Sequence, residues 1–402
     1  MAEIKRQPFQ TIHTDLEELD RKIREHRLKI ARRVGIVVGA VLLFLLLFYV
    51  INQLRTYDGH KVKSSYERQD TAATTFMTFQ GGILKYSNDG AFYTDISNDL
   101  IWNQAYEMEN PMVDLSKKYI AIGDKGGNRA YILDKEGLCG KIETTKPIVR
   151  IKVANQGTLA ILMEDEGVGY IKICDNSGKD LAEGEFHAQN SGYPLDIALS
   201  EDGEKLAVSI LDIKSGVVKT VISFYNFGSA GQKKIDNVVA TYEYDDIVIP
   251  QIEYINNDKM IAVSDKNIMF FEGTKKPQEK KKIKFDSRLR TFFFNDKYIG
   301  MIFDNENSGG NKKNDVYCLK TYDNRGGLIK EKTFSRTYRK AEFLDNNEIC
   351  LINNNECTIF TLRGVEKYHE ALDKNVYKIL PGNIFGSYIF ILEGETAEMK
   401  LK

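Results

Sequence analysis

Lys118-Tyr-Ile-Ala-Ile122, Gly157-Thr-Leu-Ala-Ile161, Lys205-Leu-Ala-Val208 and Lys259-Met-Ile-Ala-Val263 are four versions of one element. In each, a polar turn leads into a short apolar strand with a small residue inside it. Lys297-Tyr-Ile-Gly-Met301, Glu348-Ile-Cys-Leu351 and Tyr388-Ile-Phe-Ile391 continue the series, and Gly82-Ile-Leu-Lys85 begins it. Aligning on Leu84, Ala121, Ala160, Ala207, Ala262, Gly300, Cys350 and Phe390 gives gaps of 37, 39, 47, 55, 38, 50 and 40 residues. The period is about 44, and strand-like runs within it break every ten residues or so at Gly, Asn or Asp.

A second signal runs in register with the first. The following strand often ends in Asp with Gly three positions on, as in Asp134-Lys-Glu-Gly137, Asp175-Asn-Ser-Gly178 and Asp323-Asn-Arg-Gly326. Asp caps local amides and Gly accepts positive φ, so the pair suits a tight hairpin turn. A unit of this length holding four short strands is the signature of a propeller blade. Eight unit starts predict an all-β propeller of eight blades, with seven as the neighbouring count. Ala121, Ala160, Ala207, Ala262 and Gly300 are expected to let packed sheets approach closely near the axis. The last unit, 376–402, is short by one strand, and Phe76-Met-Thr-Phe79 is a spare one. That N-terminal strand is expected to complete the C-terminal blade and remove the open edge.

Upstream, Val34 to Ile51 is an unbroken run of eighteen apolar residues. At about 1.5 Å per residue it covers roughly 27 Å, close to the thickness of a bilayer core. Arg21, Lys22, Arg24, Arg27, Lys29, Arg32 and Arg33 precede it, against Arg55, Lys61 and Lys63 just after. The positive-inside rule then places residues 1–33 in the cytoplasm and the rest outside. Asn52-Gln-Leu-Arg-Thr-Tyr57 offers no small-residue cleavage site, so the run reads as an uncleaved signal anchor rather than a signal peptide, and its flanking charge disfavours a core helix. The predicted layout is therefore a cytoplasmic basic tail at 1–33, a transmembrane helix at 34–51, a linker at 52–75 and an extracytoplasmic propeller at 76–402. In the tail, Thr14-Asp-Leu-Glu17 matches a capping box, and Leu16, Leu19, Ile23 and Ile30 mark one helix face. That face suits a partner helix or anionic headgroups equally. Gly35-Ile-Val-Val-Gly39 fits the small-xxx-small dimer pattern, which is also frequent by chance in apolar segments.

Certain blades resemble known repeats. Ser200-Glu-Asp-Gly-Glu-Lys-Leu-Ala207 resembles the strand-turn-strand of WD40-like and TolB-like propellers, and Asp95-Ile-Ser-Asn-Asp-Leu-Ile-Trp102 is similar to a degenerate quinoprotein (PQQ-like) blade ending. The whole layout, with Gly82-Ile-Leu-Lys-Tyr-Ser-Asn-Asp-Gly90 opening a divergent propeller, is similar to a family of unknown function from low-GC Gram-positive bacteria. That resemblance implies a cell-surface location and brings no catalytic residues. Quinoprotein dehydrogenases carry Trp in most blades, whereas Trp102 is the one tryptophan of this chain, so no quinone cofactor is expected.

Chemistry-bearing residues are sparse. Excluding the first 33 residues, the chain has 47 Lys and Arg against 51 Asp and Glu, which leaves no basic field for nucleic acid. Within 76–402 the histidines are His187 and His369, neither near a nucleophile signature, and no nucleotide or zinc-protease motif occurs. Cys139, Cys174, Cys318, Cys350 and Cys357 lack C-x-x-C spacing and read as small buried thiols, with Cys350 and Cys357 able to meet across a hairpin. Asp304-Asn-Glu-Asn-Ser-Gly309 with Asp315 loosely fits a calcium loop, although Lys312 occupies a position that wants oxygen, and it fits a polar hairpin tip as well. Glu164-Asp-Glu166 reads as a solvated acidic turn, and Thr274 to Lys284, with six lysines, as a solvated loop or a site for anionic polymer. Aromatics such as Phe292, Phe293, Phe294, Phe270 and Phe271 fit blade core. The sequence therefore predicts a non-enzymatic scaffold or interaction module of the cell envelope, anchored through 34–51, with an envelope protein as partner and no catalytic, cofactor or metal residues. The alternative is a binder or hydrolase of wall glycan or a small ligand, using carboxylates that converge on the central channel.

Overall fold

The computed structural model describes residues 16–69, 73–187, 192–213, 216–305 and 315–402. The chain divides into two compact units, 1–55 and 56–402. In the first, one helix runs from Leu16 to Leu54, so the amphipathic tail and the apolar run share a single rod about 58 Å long. It is long and apolar enough to cross a membrane. Side chains such as Ile36, Phe44 and Ile51 along it are exposed, as a lipid-facing surface requires. Thr14 and Asp15 of the capping box lie outside the described residues.

The second unit is a ring of eight four-stranded antiparallel sheets. Seven blades are continuous in sequence, at 75–105, 111–143, 148–187, 193–245, 251–284, 289–334 and 340–371, each with its first strand innermost and its fourth outermost. All eight alignment anchors fall on second strands. The small residues are therefore one strand out from the axis, where Ala121 pairs with Asp114 and Ala160 with Lys152 of the innermost strands. Gly300 has the strictest need: a Cβ there would stand 2.2 Å from the Phe293 ring. Gly300→Ala is expected to cost about 1–3 kcal/mol through overpacking, read from a thermal melt.

The Asp and Gly signal marks the turn between third and fourth strands. Asp134 Oδ1 accepts the Glu136 and Gly137 amides, Asp175 Oδ1 those of Ser177 and Lys179, and Asp323 Oδ1 those of Arg325 and Gly327. Gly178 and Gly326 take φ of +88° and +77°, which only glycine adopts freely. Immediately beyond this turn the fourth strand of every continuous blade carries a β-bulge, opposite Tyr93/Thr94, Ile132/Leu133, Ile173/Cys174, Phe224/Tyr225, Phe270/Phe271, Thr321/Tyr322 and Ile359/Phe360 of the third strands. A bulge bends and twists the outer strand in the same way each time, so the blades wrap alike.

The ring closes differently from the sequence expectation. The strand that completes the eighth blade is His60–Glu67, paired antiparallel with Glu395–Leu401 from His60 opposite Leu401 to Glu67 opposite Glu395. Thr75–Phe79 is not spare but the innermost strand of the first blade, with Phe76 buried against Ile83, Leu380 and Ile389. The predicted linker at 52–75 thus contains a structural strand, and the second unit starts at Thr56, not at residue 76. Tyr57 is buried in the core between the seventh and eighth blades and donates its N–H to Lys367 O at 2.8 Å. At the far end Arg68 is 6 % exposed; its guanidinium donates to Leu392 O, Glu395 O and Thr396 Oγ1 and lies 4.8 Å from the Phe76 ring centre. Apolar side chains pack between neighbouring blades around the ring, and each large one buried contributes roughly 1.5–3 kcal/mol.

Candidate functional site

Charged residues of the innermost strands meet at the central channel. Lys152 Nζ lies 2.6 Å from Glu253 Oε1 and 3.5 Å from Asp114 Oδ1, which ties the inner strand of the third blade to those of the fifth and the second. Asp114 Oδ2 also accepts the Val153 N–H at 2.8 Å. Beside them, Asp196 faces Arg150 Nε at 3.0 Å and accepts the Ile252 N–H at 2.9 Å. A separate group joins Glu342 to Lys378 at 2.7 Å and to Lys340 at 3.2 Å. Burial pushes the Glu253 carboxyl up to about 7, with Asp114 and Asp196 adding to the rise and Lys152 opposing it. Burial likewise raises Asp196, against the Ile252 amide and Arg150. Burial alone would lower Lys152, but Glu253 and Asp114 outweigh it and hold the ammonium charged. The carboxylates at the channel are therefore Asp114, Asp196 and Glu253. They converge, but as partners of Lys152 and Arg150.

An open groove lies on the ring face formed by the second-to-third-strand hairpins and the connections between blades. Its main lobe, about 600 Å³, has Pro147, Ile148 and Val149 as floor and Lys125 and Glu164 to Glu166 as walls. A second lobe of about 350 Å³ shares Asn110 and Lys125 and adds Asn88, Glu109 and Thr75. The floor is rigid: Gly126 N–H donates to Ile148 O and Ile148 N–H to Gly127 O, both at 2.8 Å, joining the second blade's hairpin to the third blade's inner strand. Asp165 is ion-paired with Lys146, whereas Glu164 and Glu166 are exposed at the rim. The acidic turn noted in sequence is thus a wall of the groove. Tyr57 and His60, where the chain enters the ring, lie at the opposite face, beside the Pro381 to Ser387 turn.

The remaining sequence candidates are scattered. His187 Nε2 lies 3.4 Å from Glu185 on an exposed outer strand, and His369 Nδ1 is 2.9 Å from Thr358 Oγ1. A third histidine, missed because 52–75 read as linker, is His60; its Nδ1 is 2.8 Å from Glu370 Oε2 and 3.3 Å from the Tyr368 hydroxyl. Of the calcium template, 306–314 lie outside the described residues. Its two ends are otherwise engaged, Asp304 by Arg290 Nε at 2.6 Å and Asp315 by Thr333 Oγ1 at 2.5 Å. Of the lysine-rich segment, 274–277 is a turn, whereas Gln278–Lys284 is not a loop but the outer strand of the fifth blade, where lysines protect an edge. The five cysteines are free thiols, all buried but Cys139, and Cys350 and Cys357 sit two register positions apart on adjacent strands, paired with Ile359 and Ile352. Trp102 fills the seam between the first two blades and donates its indole N–H to Asp134 O at 3.0 Å. Among the described residues no three His, Cys, Asp or Glu side chains are grouped to hold a metal ion.

Solved structures with the same architecture include BamB from Moraxella catarrhalis, at 12 % identity and TM-score 0.51, covering 85 % of this chain and 100 % of that one. The C-terminal WD40 domain of Sif2 matches at 11 % identity and TM-score 0.55, covering 86 % and 99 %. At such identities the likeness is one of fold. No curated protein matches the chain in sequence. Residues 53–401, spanning the closing strand and all eight blades, match the model of a family of unknown function, DUF5711, and the chain belongs to that family.

Proposed function

We propose that this chain is a membrane-anchored propeller of the cell envelope that acts without catalysis, by docking another envelope protein on the grooved face of its ring. The groove carries this reading: a rigid, open depression across the first three blades, with exposed carboxylates at its rim and backbone-fixed walls. Such a surface suits an extended segment bearing basic side chains. The helix Leu16–Leu54 supports anchoring, and its basic N-terminal half supports a cytoplasmic tail with the ring outside. Crosslinking in living cells followed by purification in detergent is expected to recover one protein near stoichiometry, and Glu164→Lys with Glu166→Lys to reduce that recovery several-fold. Recovery of the chain alone, or with glycan fragments, would overturn the docking reading. Protease added to intact cells is expected to cleave the ring and spare residues 1–33.

One observation favours the second reading, a channel that binds or hydrolyses glycan. Glu253, with its carboxyl near 7, has the acidity that a general acid needs. Lys152 at 2.6 Å occupies it instead. Release of reducing sugar from wall polymer, abolished by Glu253→Gln, would be the sign of that activity.

A further inference from the structure

Blades diverge toward the rim, and outer-strand side chains fill the widening gap. The first blade uses Trp102, paired with Tyr93, and the fourth uses Tyr242, paired with Ile222. In the same two register positions the third blade has only Ala182, paired with Ile173, and Gly184, paired with Ile171. The space stays open. A Cβ at Gly184 would meet nothing within 4 Å, whereas one at Gly140, the second-blade counterpart of Ala182, would stand 2.6 Å from Asn176 O. The result is a cleft of about 490 Å³ between the third and fourth blades, floored by Ile171, Ile173 and Leu206 and walled by Phe186, Tyr225 and Phe227. That volume lies within the roughly 300–1,000 Å³ of ligand-binding clefts.

The outer strand Asp180–His187 that borders the cleft is the edge strand of its sheet. It carries Asp180, Glu183 and Glu185, with side chains 53 %, 64 % and 60 % exposed; Asp180 and Glu183 share the single ammonium of Lys172 from the neighbouring strand and Glu185 lies beside His187, so the edge keeps an excess of carboxylates. It has no Lys or Arg, a property shared with the outermost strands Leu100–Ala105 and Val238–Asp245 but not with Gln278–Lys284 or the closing strand His60–Glu67. Edge lysines discourage a further strand from pairing, and this edge lacks them. The opposite lip is the fourth blade's turn at 228–237, where Ile235 is 86 % exposed and Asp236 and Asn237 take positive φ. An apolar slot, an open backbone edge and negative charge thus coincide.

We propose that this cleft docks an extended segment of a partner protein, which adds a strand to the edge of Asp180–His187. One aromatic or branched aliphatic side chain enters beside Gly184, and flanking Lys or Arg residues face Glu183 and Glu185. Main-chain pairing provides affinity and the slot provides specificity, as in other strand-addition complexes. The site is separate from the groove and stands whether or not the groove docks a partner.

The test is selection of phage-displayed random nonapeptides on the full-length chain in detergent. Enriched peptides are expected to combine an aromatic or aliphatic anchor with adjacent Lys or Arg. They should bind Gly184→Trp, whose added ring fills the slot, at least about tenfold more weakly, or roughly 1.4 kcal/mol. Glu183→Lys with Glu185→Lys should weaken binding several-fold, and Glu164→Lys should leave it unchanged. Gly184→Leu replaces the Trp variant if thermal melting shows that Trp perturbs the fold. No enrichment over the naive library, acidic consensus peptides, or equal binding to the filled-slot variant would each overturn the proposal. Loss of binding in Glu164→Lys alone would assign the peptides to the groove and overturn it too.

Discussion

A chain that begins at Thr75 is expected to lose cooperative unfolding and to aggregate, whereas one that begins at Thr56 keeps both its melt and its solubility. The shorter chain lacks His60–Glu67, so Glu395–Leu401 becomes an open edge on a three-stranded blade. It also loses Tyr57 from the seam between the seventh and eighth blades, and Arg68 with its three acceptors. Arg68→Ala isolates part of this effect. It takes a donor from the buried Leu392 O and Thr396 Oγ1 and from the half-buried Glu395 O, and is expected to cost about 2–4 kcal/mol in urea unfolding. The strand that locks the ring, His60–Glu67, thus begins six residues after the end of the helix at Leu54.

The second large effect is expected from Lys152→Met. Removing one ammonium leaves Glu253 and Asp114 facing each other at the channel, at a cost of about 3–5 kcal/mol near pH 8. The pH dependence has a definite sign. Glu253 rises from its ordinary 4.5 to about 7 in the fold, so the native state holds that proton more tightly than the unfolded chain. Its contribution to stability is present below about 4.5 and is lost as pH rises through 7. The deficit of Lys152→Met should therefore shrink toward pH 5 and be largest above 7, as read by urea titrations across that range. A deficit independent of pH would show that the lysine stem, not its charge, holds the inner strands together.

The period of the fold was legible because second strands are largely buried and must be apolar there, as Ile120 to Ile122 and Leu159 to Met163 are. The Asp and Gly turns were legible because their chemistry is local. The closing strand was not. His60-Lys-Val-Lys-Ser-Ser-Tyr-Glu67 is polar along most of its length because an outermost strand shows one face and one edge to water, and such a strand is indistinguishable from a linker by hydropathy. Phe76 and Phe79 then drew the expectation to the wrong strand, since an inner strand is apolar for its own reasons. Gln278–Lys284, within the lysine-rich stretch 274–284, has the hydropathy of a solvated loop for the same reason. The channel group was invisible because Asp114, Lys152 and Glu253 are far apart in sequence and meet only through ring closure. Glu164 to Glu166 is legible as a turn, but the groove needs Pro147 to Val149, of the connection that leads into the same blade, to complete it.

The most direct measurement is site-specific photocrosslinking in living cells from a benzophenone side chain placed at Glu166, at the groove rim, and at Lys118, in a turn on the opposite face. A discrete protein adduct from position 166 and none from position 118 is the expected result for a ring that docks an envelope partner through its grooved face. No protein adduct from position 166, or the same adducts from both positions, would contradict it.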